Sequence, residues 1–415
     1  VTMPTLKVPA YFRSSGSIAV AMAVMSVATY GFTMIAARIL GTRTFGAFAS
    51  LMATLLVIGV LQLGLQTTAA RRISADPEHV EQIERIILRV TYRASLALGA
   101  VLLLLTPVIN WVLRLDSLAT AAMVGITSIP VTIMGGQAGI LQGERRWWPL
   151  AVLYVANGVP RLVLGTAMIL WRPTEFSAMV GVALGAIAPV LVGAYALRRD
   201  RPEGRRSDIH GARAVIKETL HNSQALLAFL ALSSVDVIVA RNVLPEHEAG
   251  LYAGGLIMTK AVLFLPQFVV IVAFPSMSTP RERRRALTRS LAMVAGLGVA
   301  STLGAWVLSG LALTFVGGEE YASIEEKLWL FAVLGTVLAM LQLLVYAVLA
   351  RQGQRSVYFV WMTLIALIIG GLQANSLEAL LIWVTLIDAA LFAILLGLSL
   401  WIVKEPLPEP EKTSV

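Results

Sequence analysis

The stretch ARILGTRTFGAFAS (residues 37–50) has a counterpart 203 residues further on in ARNVLPEHEAGLYAGG (residues 240–255). Both run Ala-Arg, a short polar turn, then a glycine at fixed spacing from an aromatic: Gly46-Ala47-Phe48-Ala49 against Gly250-Leu251-Tyr252-Ala253. A second pair, Gln142-Gly143-Glu144-Arg145 and Gln352-Gly353-Gln354-Arg355, lies 210 residues apart. Two matches in the same order at nearly equal offset define an internal repeat. Each box falls in a gap between long apolar segments. A segment of 18 or more uncharged residues reads as a membrane-spanning helix, because about 20 residues at 1.5 Å rise cover the hydrocarbon core. The boxes separate the first from the second segment and the seventh from the eighth, so each half holds six helices. An even number returns the chain to its starting side. The halves therefore share one topology, related by a pseudo-two-fold axis along the membrane normal.

The uncharged windows are residues 14–37, 44–70, 94–113, 117–143, 176–197, 290–318, 328–350 and 356–377. Four more are equally apolar but carry ionisable groups: 147–171 with Arg161, 219–240 with His221 and Asp236, 249–280 with Lys260, and 379–403 with Asp388. The expected fold is thus all-α and integral to the membrane, with twelve transmembrane helices in two parallel six-helix bundles. Composition agrees: 57% of the 415 residues are hydrophobic and 14% charged, with mean hydropathy +0.79, where a soluble domain carries about 25% charged residues. Barrel strands would alternate polar and apolar residues over about ten positions, and these windows do not. The absence of cysteine excludes structural disulfides, thiolate metal sites and cysteine nucleophiles. The first window is too long for a signal-peptide core and leads directly into further spans, so it reads as retained.

Lys and Arg sort by loop. The N-terminus, the even-numbered loops and the C-terminus hold 24, among them Arg71, Arg72, Arg145, Arg146, Arg198 and Arg283; the odd-numbered loops hold six, Arg38, Arg43, Arg114, Arg172, Arg241 and Lys327. This bias predicts both termini in the cytoplasm of a multi-pass cell-membrane (inner or plasma membrane) protein. The net charge of +9 then points to anionic lipid headgroups as partner and not to nucleic acid. A polar, basic linker, residues 198–222, joins an N-terminal six-helix lobe (1–197) to a C-terminal one (223–415). Two stretches look like helices lying in the interface plane: Val80, Ile83, Ile87 and Val90 after an N-cap at Asp76 and a first-turn Pro77, and Val215, Ile216 and Leu220 before the seventh span.

With the repeat in hand, the chain resembles the polysaccharide-transport flippases of the multidrug/oligosaccharidyl-lipid/polysaccharide (MOP) exporter superfamily. The resemblance is clearest in ARILGTRTFGAFASLMATLLVIGVLQLGLQTTAARR (residues 37–72) and in SSVDVIVARNVLPEHEAGLYAGGLIMTKAVLFLPQFVVIVAFPSMS (residues 233–278), and the Gln-Gly-x-Arg turn before span five is similar too. It implies a MATE-like fold, two lobes around a central cavity opening alternately to each side, and an amphiphilic cargo, a sugar chain on a polyprenyl diphosphate. The implied partners are that lipid-linked oligosaccharide, membrane lipids, and glycosyltransferases or a polymerase of the same pathway. Some members carry two further C-terminal helices, whereas twelve spans are expected here. The other twelve-helix fold with parallel halves, the major-facilitator type, ordinarily carries Gly-x-x-x-Asp-Arg-x-Gly-Arg-Arg between spans two and three. Here that loop reads RRISADPEHVEQIERIILR.

A diphosphate and sugars cross hydrocarbon only along a wet, polar, preferably cationic path, and intramembrane charges mark such paths. Lys260 lies ten residues beyond Gly250, about 15 Å deep, and Arg161 fifteen residues beyond Arg146, about 22 Å deep. Arg161 and Lys260 are the expected diphosphate ligands. Asp236 and Asp388 balance them or carry a coupling proton. The competing reading is a structural salt bridge between Asp236 and Lys260 on consecutive helices. Arg38 and Arg241, at pseudo-equivalent outer ends, either guard the exit or anchor in the interface. Gln62, Gln66, Gln137, Asn157, Gln267 and Gln342 read as packing glue, and prolines 107, 130, 160, 189 and 266 as kinks. His79, His210, His221 and His247 are scattered without metal spacing, and there is no phosphate-cradling glycine loop followed by Lys. No enzyme or cofactor is expected. The functions left standing beside the flippase are a drug or cation exporter of the same superfamily and a membrane-bound polysaccharide polymerase.

Overall fold

The computed structural model describes residues 16–198, 211–277, 283–349 and 354–402. Among them there are helices and no strands. In order these are α1 (Gly16–Ile58), α2 (Val60–Ala75), a 3₁₀ turn (Pro77–His79), α3 (Val80–Leu104), α4 (Thr106–Val112), α5 (Leu118–Gly143), α6 (Trp147–Trp171) and α7 (Glu175–Ala196). Then come α8 (Ala212–Leu232), α9 (Val235–Val243), α10 (Glu246–Met277), α11 (Arg283–Val307), α12 (Ser309–Val316), a 3₁₀ segment (Glu319–Lys327), α13 (Leu328–Leu349), α14 (Gln354–Gly371) and α15 (Leu377–Ile402). Among the described residues nine helical stretches are long and apolar enough to cross a membrane; the first, Ser17–Ala75, takes in two of the expected windows, and Val357–Gly371 is a shorter apolar helix. The chain is an all-helical, multi-pass membrane protein.

The windows fall on helices, and some of them are broken. Between the first two windows Gly41, at φ 71 and ψ 167, interrupts α1 in the first repeat box, a left-handed conformation open mainly to glycine. The third window divides at Leu105, two residues before Pro107, which has no N–H to continue the ladder. The seventh divides at Ser233–Ser234, between α8 and α9. Pro130, Pro160 and Pro189 lie inside α5, α6 and α7. Residues 199–210 of the linker lie outside the described residues, as do the side chains of Gln267, Pro266 and His221.

The chain divides into two compact units, Val1–Gly254 with Thr314–Ser323, and Gly255–Leu313 with Ile324–Val415. In the first, α5 is packed through glycines against both α2 and α3. A Cβ on Gly135 would stand 2.4 Å from the Gln62 carbonyl oxygen, one on Gly136 2.2 Å from Thr91 Oγ1, and one on Gly139 2.5 Å from the Gln66 carbonyl oxygen. Lipid gives helices no hydrophobic reason to associate, so close backbone approach supplies the packing. α6 uses the same device, Gly158 against Met25 of α1 and Gly165 against Gly181 of α7.

The two expected in-plane helices are corrected here. α3 runs unbroken from Val80 into its span, and α8 runs unbroken from Ala212. The α3 stripe faces protein: Ile83, Ile87 and Val90 are buried in one cluster with Leu65, Ala69 and Ile73 of α2, Ile140 of α5 and Val215 of α8, while Ile216 and Leu220 of α8 are exposed. A stripe already covered by neighbouring helices has no need of the lipid surface. Arg71 and Arg72 of α2 converge on Glu218 of α8, each Nε 2.8 Å from a carboxylate oxygen, and tie these helices at the same end. Asp76 precedes the 3₁₀ turn as expected, but its carboxylate meets His79 Nδ1 at 2.8 Å and caps no backbone N–H.

In the second unit, Thr259 Oγ1 of α10 donates to the Phe331 carbonyl of α13 at 2.8 Å, and Gly298 of α11 lies under Thr336 of α13. Trp383 Nε1 of α15 donates to the Leu367 carbonyl of α14 at 3.3 Å.

Candidate functional site

Two groups of polar side chains stand out in the first unit. The first lies at the end that the charge bias predicts to face outward, and it gathers both repeat glycines. Arg241, 5% exposed, donates from Nε to the Leu113 carbonyl at 2.7 Å and from its terminal nitrogen to the Arg114 carbonyl at 2.8 Å. These are the free carbonyls at the C-terminal end of α4, where a cation also meets the negative pole of the helix. Asn242 Nδ2 takes the Val112 carbonyl at 2.9 Å. Arg114 returns the contact, donating to the Arg241 and Asn242 carbonyls at 3.3 and 3.4 Å. Arg43 pairs with Glu246 at 2.5 Å and Asp116 at 3.8 Å. Thr42 Oγ1 is 2.8 Å from His247 Nδ1. Tyr321 lays its ring edge-on to Phe45 and donates its hydroxyl to the Ala37 carbonyl at 3.2 Å.

The second group runs along α6. Tyr154, Asn157 and Arg161 recur at helical spacing on one face, the face whose glycines meet α1 and α7. Gly185 of α7 approaches the Arg161 backbone so closely that a Cβ there would stand 2.7 Å from its Cα. Gln66 of α2 donates to the Tyr154 hydroxyl at 2.8 Å and to Gln142 Oε1 at 3.0 Å, so the Gln-Gly-x-Arg box joins this group through its glutamine. That box also ends α5 in a Schellman-type cap, with Arg146 N–H to the Leu141 carbonyl at 2.9 Å, Arg145 N–H to the Gln142 carbonyl at 3.1 Å, and Arg145 at φ 56. Asn157 Nδ2 faces Met25 Sδ at 3.4 Å. Arg161 Nε is buried and has no hydrogen-bond partner among the described residues.

The expected site residues are therefore spread over separate places. Arg38 is exposed, with a long contact of 3.4 Å to the Thr314 carbonyl. Arg241, its pseudo-equivalent, is buried and committed to backbone carbonyls. Asp236 is 3% exposed; it accepts from the Val237 N–H at 2.9 Å and from the Tyr252 hydroxyl at 3.0 Å, so the aromatic of the second repeat box serves this carboxylate. Lys260, partly buried on α10, and Asp388, fully buried on α15, belong to the second unit. Tyr154, Gln142, Asn242 and Arg114 were not singled out from the sequence for these roles, because nothing in a lone tyrosine or loop arginine announces its partner. The repeated Gln-Gly-x-Arg box was the available signal for Gln142.

The arrangement of helices is found in solved transporters. The chain is similar to an inward-facing multidrug resistance MATE family transporter of the MOP superfamily, with a TM-score of 0.74 at 14% identity over 92% of this chain and 94% of that one. The eukaryotic MATE transporter AtDTX14 gives 0.65 at 12% identity, over 93% of this chain and 94% of that one. A MOP superfamily transporter from Pyrococcus furiosus, described as having a binding pocket of reverse polarity, gives 0.60 at 13% identity, over 95% and 96%. The fold is the MATE-like fold of the MOP superfamily. The chain belongs to the polysaccharide biosynthesis protein family, whose sequence pattern matches residues 12–281. Comparison with individual curated protein sequences gives no match.

Proposed function

We propose that the protein carries a lipid-linked oligosaccharide, a sugar chain on a polyprenyl diphosphate, from the cytoplasmic to the outer leaflet for cell-surface polysaccharide synthesis. The halves 1–197 and 223–415 act as two lobes in alternating access. The observation that carries this reading is Arg161, a guanidinium in the middle of a membrane helix whose buried Nε lacks a partner among the described residues. A charge within a membrane helix is costly, and such residues mark the path of a ligand of opposite sign. A diphosphate is such a ligand, and a cationic drug is not. The polar group of Tyr154 and Asn157 on α6 with Gln66 on α2 suits hydroxyl-rich sugars on the same path, with Lys260 as a second cation and Asp236 and Asp388 as balancing or coupling groups. The polyprenyl tail stays in lipid, since moving it through a polar space costs about 0.8 kcal/mol per CH₂. The family's place in polysaccharide biosynthesis supports the same cargo.

Deleting the gene should leave lipid-linked oligosaccharide on the cytoplasmic leaflet and deplete the surface polymer, with little change in sensitivity to cationic dyes. A null strain that keeps its surface glycans and becomes dye-sensitive would establish a drug exporter instead. Purified protein that lengthens glycans in liposomes would establish a polymerase.

The orientation has its own test. Ser74 and Ser323 are both exposed and the chain holds no cysteine. Ser323→Cys should react with an impermeant maleimide on intact cells, and Ser74→Cys only after the membrane is opened. The opposite pattern reverses the orientation.

A further inference from the structure

Gly46 and Gly250 occupy the same position of the internal repeat, and the structure sets them against each other. A Cβ on Gly46 would stand 3.0 Å from Gly250 Cα, and one on Gly250 2.0 Å from the Thr42 carbonyl oxygen. A residue that meets its own copy lies on the axis relating the copies. Two helix backbones touch there only if neither carries a side chain, which gives the repeated glycine a physical reason. We propose that this meeting is the closing contact of a gate at the outward end, with Arg43, Arg241 and Arg114 as its latches. The proposal rests on the transporter reading above.

Most of what crosses from the first half of the sequence to the second around the glycines is suited to parting. The side chains of Arg43, Asp116 and Glu246 are 65%, 78% and 40% exposed, so water competes for their ion pairs. Arg241, Asn242 and Arg114 hold main-chain carbonyls that water can take over when the ends separate. Arg114 sits at φ 49, ending α4 in a left-handed conformation that glycine usually fills. An arginine is kept in that unfavourable place where its guanidinium spans to the α9–α10 turn, and strain of this kind collects at working sites. The glycine pair offers two flat surfaces that can separate and rejoin without repacking side chains, with Tyr321 against Phe45 as the apolar plug.

Spin labels on Ser117→Cys and Glu248→Cys, in the otherwise cysteine-free protein in liposomes, report the gate directly and need no cargo. The parent should show a short and a long distance population. Gly250→Leu should lose the short one, and so should the milder Arg43→Gln, which keeps the test alive if the leucine variant does not fold. A single short distance in the parent and in Arg43→Gln would overturn the gate. In cells, Thr42→Cys with His247→Cys should form a disulfide that stops transport and releases it on reduction. Full transport by the cross-linked protein would overturn the gate as well. If the distances shift as described while the surface glycan proves not to be the product, the gate stands and the cargo reading falls.

Discussion

Arg161→Ala should abolish surface-glycan export while leaving the protein inserted and at least as stable as the parent. The two halves of this expectation come from one observation. Removing one partner of a buried ion pair leaves the other charge stranded, at a cost of about 3–5 kcal/mol. Arg161 Nε is buried with no partner among the described residues, so its removal strands no partner among them. A structural arginine would show the reverse, lost stability with export intact in whatever protein remains. Arg161→Lys keeps the charge but not the planar fork that meets phosphate oxygens in pairs, and should retain a small part of the rate. Thermal unfolding of the purified variants, set beside glycan export in cells at matched protein level, separates the two accounts. Export at the parent rate by Arg161→Ala would remove this residue from the path.

Gly139→Leu should cost the first unit its packing, and the protein should be recovered poorly or not at all. Even the first carbon of the new side chain would stand 2.5 Å from the Gln66 carbonyl oxygen and 2.7 Å from both Gln66 Cα and Ala69 Cβ. The obstacle is mainly the α2 backbone, which cannot swing aside as a flexible side chain would. Overpacking of this kind costs about 1–3 kcal/mol and occasionally more. Forcing α2 from α5 would also stretch the Gln66–Gln142 contact, worth about 0.5–1.5 kcal/mol for a typical hydrogen bond. Gly304 of α11 is the control: nothing lies within 4 Å of a Cβ built there. Gly304→Ala should be neutral or add up to about 1 kcal/mol, the ordinary gain of alanine in a helix. Equal melting temperatures for the two variants would show that the α2–α5 approach is not tight in solution.

The membrane class, the positions of the spans and the internal repeat were legible in the sequence because each rests on a local property. Hydrocarbon tolerates only long uncharged helical runs, so the windows around Val124, Val182 and Leu334 announce themselves. The repeat was legible for a related reason: the same Ala-Arg, turn and glycine–aromatic spacing recurs around Gly46 and Gly250. What pairs with what was not local, and only the tertiary structure decided it. The stripe Ile83, Ile87 and Val90 has the pattern of a helix lying on the membrane surface, and its spacing is the same whether lipid or protein covers it. The chain brought Val215 and Ile73 to it, and it became core. Arg241 and Arg38 match in sequence and each reaches carbonyls at the end of a short helix, α4 for one and α12 for the other, yet Arg241 is buried there and Arg38 is exposed. Gln66, Gln142 and Tyr154 lie on three helices, and their hydrogen bonds exist only once glycines have let those helices close. Spacing along a chain specifies which face of a helix a residue occupies. The neighbour that face will meet depends on how all the helices pack.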